Sequence, residues 1–313
     1  MHDRDARYQT GRRSSPQYFD ANADLVAYPT SHFTMEELAD IYNQTRVDYI
    51  VPMPMNAKRL LEYVTAYDID MDASLVVQSR EGQVLGISML GLRDARAWIT
   101  RLGVLPVKRR RGTGQFIMDH HLHMARGAGA LQVQLEVIKG NDPAHRLFLK
   151  NDFLQTRELL VIRRPPGAPN DDCCPTDGHF AALSSEEIHA VLKKRADTAA
   201  WTEENATFYN LESVRGLSMM LKSGEVGHLI YQQSPFQLSH LVLCRTARRD
   251  LDLASGLLLR LHQDNPLVDT KVENVALDDP LWPVYQHLGY VEVFRRIEMV
   301  HFIENTQPES NYH

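Results

Sequence analysis

The sequence predicts a mixed α/β protein that builds the same arrangement twice, each time as a central mixed β-sheet flanked by helices. Two observations support this fold class. Runs with the period-two pattern of strands alternate with runs that have the helical period of 3.6. The same element order also occurs on both sides of a segment rich in Pro and Asp. We therefore expect a flexible tail at 1–19, a first domain at 20–164, a linker at 165–180 and a second domain at 181–313.

The composition is typical of a globular protein, with 313 residues, 43% hydrophobic and 24% charged, and a net charge of -6. The acidic balance argues against a general nucleic-acid binder. Apolar runs stay well short of the roughly 18 residues that a membrane-spanning helix needs, and the polar N-terminus does not resemble a secretory signal. Three cysteines form no disulfide framework. We expect a cytoplasmic protein that binds neither nucleic acid nor membrane and needs no metal.

Helices of the first half are indicated by their start signals. Thr34, with Glu37 three residues later, predicts a capping box. Asp142, followed by Pro143 at the first helical position, predicts the N-cap of a short helix. The strand-like runs of this half are "ADLVAYP", "ASLVVQSREG", "QVLGISMLGL", "ARAWITRLGVLP", "LQVQLEVI" and "LQTRELLVIRR".

A basic, glycine-rich loop, "KRRRGTGQF" at 108–116, separates a predicted strand from a predicted helix at about 114–127. Backbone N–H groups and the helix dipole at such a junction suit a phosphate group. Gly112 and Gly114 allow a ligand to approach the backbone closely, and the arginines add positive charge. The alternative interpretation is a tight turn with a solvated basic face. The loop matches neither a P-loop nor the dinucleotide fingerprint.

Two motifs carry a resemblance to a known family. The run "LGVLPVKRRRGTGQFIM" resembles motif A of the GNAT superfamily of N-acetyltransferases, and "LEVIKGNDPAHRLFLKNDF" is similar to motif B. The resemblance covers about residues 20–163. The positions that carry it are Arg109, Gly112 and Gly114 in motif A, and Asn141, Ala144 and Leu147 in motif B.

The resemblance implies that acetyl-CoA or a related acyl-CoA, as acyl-donor substrate, lies between two splayed parallel strands. Its pyrophosphate would lie on the backbone of residues 110–115, its pantetheine arm along 102–104, and Asn141 would contact that arm. The implied binding residues are Leu102, Gly103, Val104, Arg109, Arg110, Arg111, Gly112, Thr113, Gly114, Gln115, Asn141 and Phe148.

Proton transfer is where the sequence departs from the family. GNAT enzymes often use a Glu as base and a Tyr as acid, but those slots hold Thr100 and Phe148. Glu136, Asp94 and Tyr285 are weak substitutes, and for Glu136 the alternative is a solvated polar face of a strand. Positioning and backbone donors still allow catalysis.

The second half repeats the element order but changes the loop. "VYQHLGYVEV" resembles motif B, with Tyr285 at the slot of Phe148. Alignment of "LSHLVLCRTARRDLDLAS" with the first half places Leu251 and Leu253 at the two glycines and aspartates beside them. Leucine disfavours the tight turn, and aspartate would repel a pyrophosphate. The sequence therefore predicts tandem GNAT-like domains, of which the C-terminal copy is degenerate and does not bind CoA in the usual way.

The predicted function is transfer of an acetyl group from acetyl-CoA to an amine by direct attack in a ternary complex. The alternative is a non-catalytic acyl-CoA-binding regulatory protein, because both familiar proton-transfer residues are missing. A small-molecule amine and a peptide amine remain open as acceptors, and so does a homo-oligomer.

Overall fold

The computed structural model describes residues 18–20, 25–106, 112–170, 178–195, 199–244 and 250–304. The chain divides into two compact units. Unit 1 consists of residues 1–156 and 298–313, and unit 2 of residues 157–297. These limits differ from the predicted division at 164 and 181, because the last strand of the chain belongs partly to unit 1. The division into functional domains stays a prediction.

Unit 1 contains a mixed sheet in which strands β1 to β6 follow one another in sequence order. Neighbouring strands are antiparallel except β5 and β6, which are parallel. The strands are β1 (Tyr18–Asp20), β2 (Leu25–Pro29), β3 (Ile69–Ser79), β4 (Val84–Arg93), β5 (Arg96–Val104) and β6 (Gln132–Ile138). Two further strands, β7 (Leu154–Arg164) and β13 (Val291–Phe302), have residues in both units.

In the described part of unit 1, four α-helices flank the sheet. They are α1 (Met35–Thr45), α2 (Ala57–Ala66), α3 (Thr113–Gly127) and α4 (Asp142–Lys150). The capping box predicted for α1 is confirmed, since Thr34 Oγ1 accepts from Glu37 N at 3.2 Å and Glu37 Oε2 accepts from Thr34 N at 2.9 Å. The N-cap predicted for α4 is wrong by one residue. Asn141 is the cap, because its side-chain oxygen, not that of Asp142, accepts from the first turn.

The core beneath α3 fixes the position of this helix. Phe116 and Ile117 are buried on the sheet side of α3, where they pack with Leu75 and Val77 of β3. Burying such side chains stabilises the folded state by about 1.5–3 kcal/mol each. The N-terminus of α3 is thereby fixed next to the end of β5.

Unit 2 has the same plan. Its strands stand in the order β8-β9-β10-β11-β12-β7, and only β11 and β12 form a parallel pair among the described neighbours. Each unit is thus a mixed sheet flanked by helices, which confirms the predicted fold class. The remaining strands are β8 (Gly178–Ala182), β9 (Val214–Leu221), β10 (Val226–Gln233), β11 (Gln237–Cys244) and β12 (Asp269–Ala276). The helices are α5 (Ser185–Lys194), α6 (Asn205–Asn210), α7 (Asp250–Asp264) and α8 (Trp282–His287).

Three details differ from the sequence-based expectations. Strand β1 contains Tyr18 and Phe19, which were assigned to the tail, and β8 begins at Gly178, inside the expected linker. Leu131, the first residue of the predicted strand run "LQVQLEVI", lies outside β6 and is half exposed. Backbone pairing with β2 and β9 accounts for the two added strands. None of the described helices is both long and apolar enough to cross a membrane.

Candidate active site

The parallel strands β5 and β6 diverge in the middle of unit 1. They pair only at Arg96–Gln132, Ala97–Val133 and Trp98–Gln134, whereas β5 stays paired with β4 as far as Val104. A bulge in β5 accompanies the divergence, and its residue Arg101 has a φ of +55°. The diverging strands leave a cleft of the kind that the resemblance implied between them.

The N-terminus of α3 lies at the end of β5. Gly112 is the N-cap, with a φ of +83° that favours glycine, and a Cβ built on it would meet nothing within 4 Å. Thr113 is buried, and its hydroxyl has no hydrogen-bond partner among the described residues. A buried hydroxyl at a helix N-terminus can donate to an anion there. Arg109, Arg110 and Arg111 lie outside the described residues, so their contribution stays a prediction.

The next two loop residues have packing roles. A Cβ on Gly114 would lie 3.0 Å from Cδ2 of Leu147, so this glycine allows α4 to approach α3 closely. The Gln115 side chain donates to Asp119 Oδ1 at 2.9 Å and to Asn151 Oδ1 at 2.7 Å. Any contact of Gln115 with a phosphate would therefore come from its backbone.

Two of the three residues at the end of β5, Leu102 and Gly103, contact the end of α1 and its C-cap. The carbonyl of Leu102 accepts from Arg46 Nη2 at 3.0 Å. A Cβ on Gly103 would lie 2.2 Å from Thr45 Oγ1, so only glycine fits there. The side chains of Leu102 and Val104 pack against the core beneath α3. Arg46 is a residue that the sequence analysis missed, and it already occupies the Leu102 carbonyl.

Glu136 lies on β6 two residues beyond Gln134, the last residue that pairs with β5, and it is half-buried. Its Oε2 accepts from the indole nitrogen of Trp98 at 2.7 Å across the diverging strands. The ring of Trp98 lies against an aromatic cluster on α2 and its C-cap, with ring centroids 6.2 Å from Tyr63 and 5.7 Å from Tyr67. The solvated strand face that was the alternative for Glu136 does not describe this environment.

Thr100 occupies the slot where the family often has a Glu, and its side chain contacts the hydroxyl of Tyr63. Its Oγ1 lies 2.6 Å from the Tyr63 hydroxyl, and the Arg101 guanidinium lies 4.3 Å from the centre of the Tyr63 ring. Burial raises the pKa of Tyr63, while the positive charge of Arg101 opposes this shift. Tyr63 is therefore protonated at neutral pH. Neither Tyr63 nor Trp98 was identified from the sequence, since a helical tyrosine and a strand tryptophan are usual core residues.

The other predicted site residues are spread over the chain. Asp94 is exposed in the turn before β5, at the opposite end of that strand from Leu102. Asn141 caps α4 and donates to the Tyr49 hydroxyl at 3.3 Å. Phe148 is buried, with its ring 6.2 Å from that of Phe153. Tyr285 is buried in unit 2, with its ring 5.0 Å from that of Tyr290.

No group of three His, Cys, Asp or Glu residues in the described part of the chain has the arrangement of a metal site. Of the three weak candidates for proton transfer, Glu136 is the one that lies in the cleft of unit 1. The cleft therefore combines a helix N-terminus, an open strand edge and one carboxylate. Such a set can hold an extended anionic ligand and accept a proton beside it.

Residues 35–153 match the family model described as Acetyltransferase (GNAT) family. This range includes β5, α3, β6 and α4, and therefore the whole cleft. The match assigns a GNAT acetyltransferase domain to this part of unit 1. No curated protein matches the chain.

Several solved structures resemble nearly the whole chain. A GCN5-related N-acetyltransferase from Sphaerobacter thermophilus is 13% identical with a TM-score of 0.68, over 89% of this chain and 96% of its own. A tandem GNAT protein from the clavulanic acid biosynthesis pathway is 16% identical with a TM-score of 0.64, over 90% and 100%. A putative acetyltransferase from Pyrococcus horikoshii is 14% identical with a TM-score of 0.57, over 94% of both chains. At these identities the likeness concerns the fold alone.

Proposed function

We propose that the protein is an N-acetyltransferase that transfers an acetyl group from acetyl-CoA, bound in the cleft of unit 1, to an amine acceptor. The observation that carries this proposal is the divergence of β5 and β6 directly beside the N-terminus of α3. Residues 35–153 also match an acetyltransferase family model. In this proposal the acyl-CoA-binding domain has the predicted limits 20–164. Unit 2 is a degenerate copy of that domain.

In the proposed reaction, the amine nitrogen forms a bond to the thioester carbonyl carbon, and the bond from that carbon to sulfur then breaks. The acceptor must lose a proton, and the thiolate must gain one. Glu136 accepts the proton of the amine, directly or through a water molecule, and the departing thiolate takes its proton from solvent water. The Trp98 indole fixes the carboxylate in position and stabilises its charged form through their hydrogen bond.

The backbone of β5 positions the donor. Residues Leu102 to Val104 border the cleft, and the pantetheine arm runs along them. Because Arg46 occupies the Leu102 carbonyl, the arm pairs with the other backbone groups of this segment or displaces the guanidinium. The pyrophosphate lies on the first N–H groups of α3, with the Thr113 hydroxyl as an additional donor. A small-molecule amine or a peptide amine is the acceptor.

A paired substitution on α3 tests the donor site. Gly112 and Gly129 both have a positive φ, and a Cβ built on either would meet nothing within 4 Å. Gly112→Asp places a carboxylate at the N-terminus of α3, whereas Gly129→Asp places the same residue beyond its C-terminus. We expect calorimetric titration of the full chain with acetyl-CoA to give one site per chain. Affinity should fall at least about ten-fold in Gly112→Asp and stay near wild type in Gly129→Asp.

Absence of acetyl-CoA binding to the wild type, or equal losses in the two variants, would contradict the proposal. Once binding is established, release of CoA in the presence of an amine panel tests catalysis. Binding without turnover of any amine would favour the non-catalytic acyl-CoA-binding regulatory protein.

A further inference from the structure

Unit 2 contains a cavity where its own parallel strands diverge. Strands β11 and β12 pair at Gln237–Asp269 and Leu238–Thr270 and then separate. The cavity has a volume of about 290 Å³ and lies along residues 241–243 and 272–276. Its volume is at the small end of the range for ligand pockets. It therefore suits a small metabolite rather than an extended ligand such as CoA.

A buried carboxylate borders this cavity. Glu203 ends a short 3-10 turn and is 7% exposed. Its Oε1 lies 3.3 Å from Nδ1 of His240. Its Oε2 is buried and has no hydrogen-bond partner among the residues that the structure describes. Leaving a buried carboxylate oxygen without a donor is costly, so a ligand that donates to it there would be stabilised.

A guanidinium borders the same cavity. Arg195 follows α5, and its Nη1 donates to the backbone carbonyl of Glu203 at 2.6 Å and to Asn205 Oδ1 at 3.4 Å. Both bonds use one nitrogen, and the described residues provide no further hydrogen bond to this side chain. Its other N–H groups keep the fork geometry that binds a carboxylate.

The two other carboxylates that border the cavity are already satisfied. Glu273 has Arg296 Nη2 at 2.7 Å and also contacts Lys271 Nζ. Burial opposes its ionisation, but these two cations hold the pKa of Glu273 well below its usual range. Asp279 accepts from the backbone N–H of Leu281 at 2.8 Å. The guanidinium of Arg157 also borders the cavity. Oε2 of Glu203 is thus the carboxylate oxygen that lacks a donor among the described residues, and Arg195 is the guanidinium bonded to the backbone of the same residue.

We propose that this cavity binds a small zwitterion of amino-acid size, with its ammonium group on Glu203 and its carboxylate on Arg195. Each charge of such a ligand meets a group of the opposite sign, whereas a simple amine or a simple acid would satisfy one end. The site is separate from the acetyl-CoA cleft proposed for unit 1. Failure of one proposal is therefore distinguishable from failure of the other.

A matched set of probes tests the zwitterion on the full chain. Glycine, β-alanine and 4-aminobutanoate carry both charges at different spacings, and butylamine and butanoate carry one charge each. We expect saturable calorimetric binding of at least one amino acid at one site per chain. Its affinity should exceed those of butylamine and butanoate by at least about ten-fold, the value of one charged hydrogen bond. No binding of any amino acid at millimolar concentration would overturn the proposal.

Two variants locate the binding. Glu203→Gln removes the charge at nearly constant size, and Glu212→Gln makes the same change on an exposed residue of unit 2. We expect an affinity loss of at least about ten-fold in Glu203→Gln and none in Glu212→Gln. Ala276→Phe, which fills the cavity from β12, should abolish binding in a chain whose circular dichroism is unchanged. If Glu203→Gln does not fold, the affinity of Ala276→Phe alone tests whether the amino acid binds in the cavity. Wild-type affinity in either folded cavity variant would overturn the proposal.

Discussion

Each of the two units has a cleft between diverging parallel strands, and the two clefts differ in their chemistry. In each, a parallel strand pair diverges next to a bulge residue with positive φ, Arg101 at +55° and His240 at +52°. The fifth residue of the second strand is a glutamate in both, Glu136 in β6 and Glu273 in β12. Glu136 accepts from the neutral Trp98, whereas Glu273 is held by two cations. A carboxylate held by cations is a poor proton acceptor, so of these two glutamates Glu136 is the one that fits the proposed reaction.

The helices that follow the two clefts also begin differently. Helix α3 begins after a glycine cap in the left-handed conformation, and Gly114 in its first turn leaves room for Leu147 of α4. In α7, Leu253 occupies the position aligned with Gly114 and is fully buried in the core of unit 2. At this position α3 thus carries no side chain, whereas α7 places a leucine in the core.

The largest effect is expected from Leu253. Leu253→Ala should lower the free energy of unfolding by about 3 kcal/mol, because it removes buried methyl groups and leaves a cavity. Gly114→Ala should cost less than about 1 kcal/mol, since the added methyl meets only the flexible end of Leu147. Urea unfolding followed by circular dichroism measures both. Equal losses would mean that the two helix starts contribute alike to packing.

Substitution of Glu136 should raise the activation free energy by nearly as much as Leu253→Ala lowers the free energy of unfolding. Glu136→Gln should lower kcat by about 100-fold, because the amide cannot accept the proton, while acetyl-CoA binding stays near wild type. Trp98→Phe removes the hydrogen bond that holds the Glu136 carboxylate in position and should lower kcat by about ten-fold.

Steady-state CoA release with the best amine of the panel measures both variants, with Glu212→Gln as the exposed control. A Glu136→Gln rate within about two-fold of wild type would remove Glu136 from the mechanism. A wild-type kcat in Trp98→Phe would make the indole a packing group only.

The smallest expected effect is the change in the free energy of unfolding per pH unit that comes from two buried histidines, His121 in unit 1 and His262 in unit 2. Burial lowers the pKa of His121 well below its usual value, with a further contribution from His120, and burial lowers that of His262 to about 3. The unfolded chain therefore binds more protons below about pH 6.5, and stability present above that pH is lost as the pH falls. Each group contributes up to about 1.4 kcal/mol per pH unit.

Substitution of each histidine by leucine should have different effects on the free energy of unfolding. His262 Nε2 lies 2.9 Å from the Tyr290 hydroxyl, while neither ring nitrogen of His121 has a hydrogen-bond partner among the described residues. His262→Leu should therefore cost about 1–3 kcal/mol at pH 7.5, and His121→Leu much less. Both should weaken the pH dependence between pH 6.5 and 5. Unfolding curves at these pH values measure it, and an unchanged slope would show that the histidines are not buried as neutral groups.

Local sequence signals predicted most elements of the fold. The strand run at β6 and the capping box at Thr34 were both predicted, because each depends on neighbouring residues. The limits of the compact units were not. They depend on where residues 298–302 pair, and backbone pairing between distant segments has no local signature.

The sequence by itself determined the mixed α/β class, the repeated element order and the position of the loop at Gly112, since periodicity and glycine conformation are local properties. The tertiary structure decided which side chains share a cleft. Trp98 and Glu136 meet because parallel strands diverge between them, and Glu203 and Arg195 meet at a cavity because a short turn folds onto β11. Contacts of this kind join residues on separate elements, and the packing of those elements places them together.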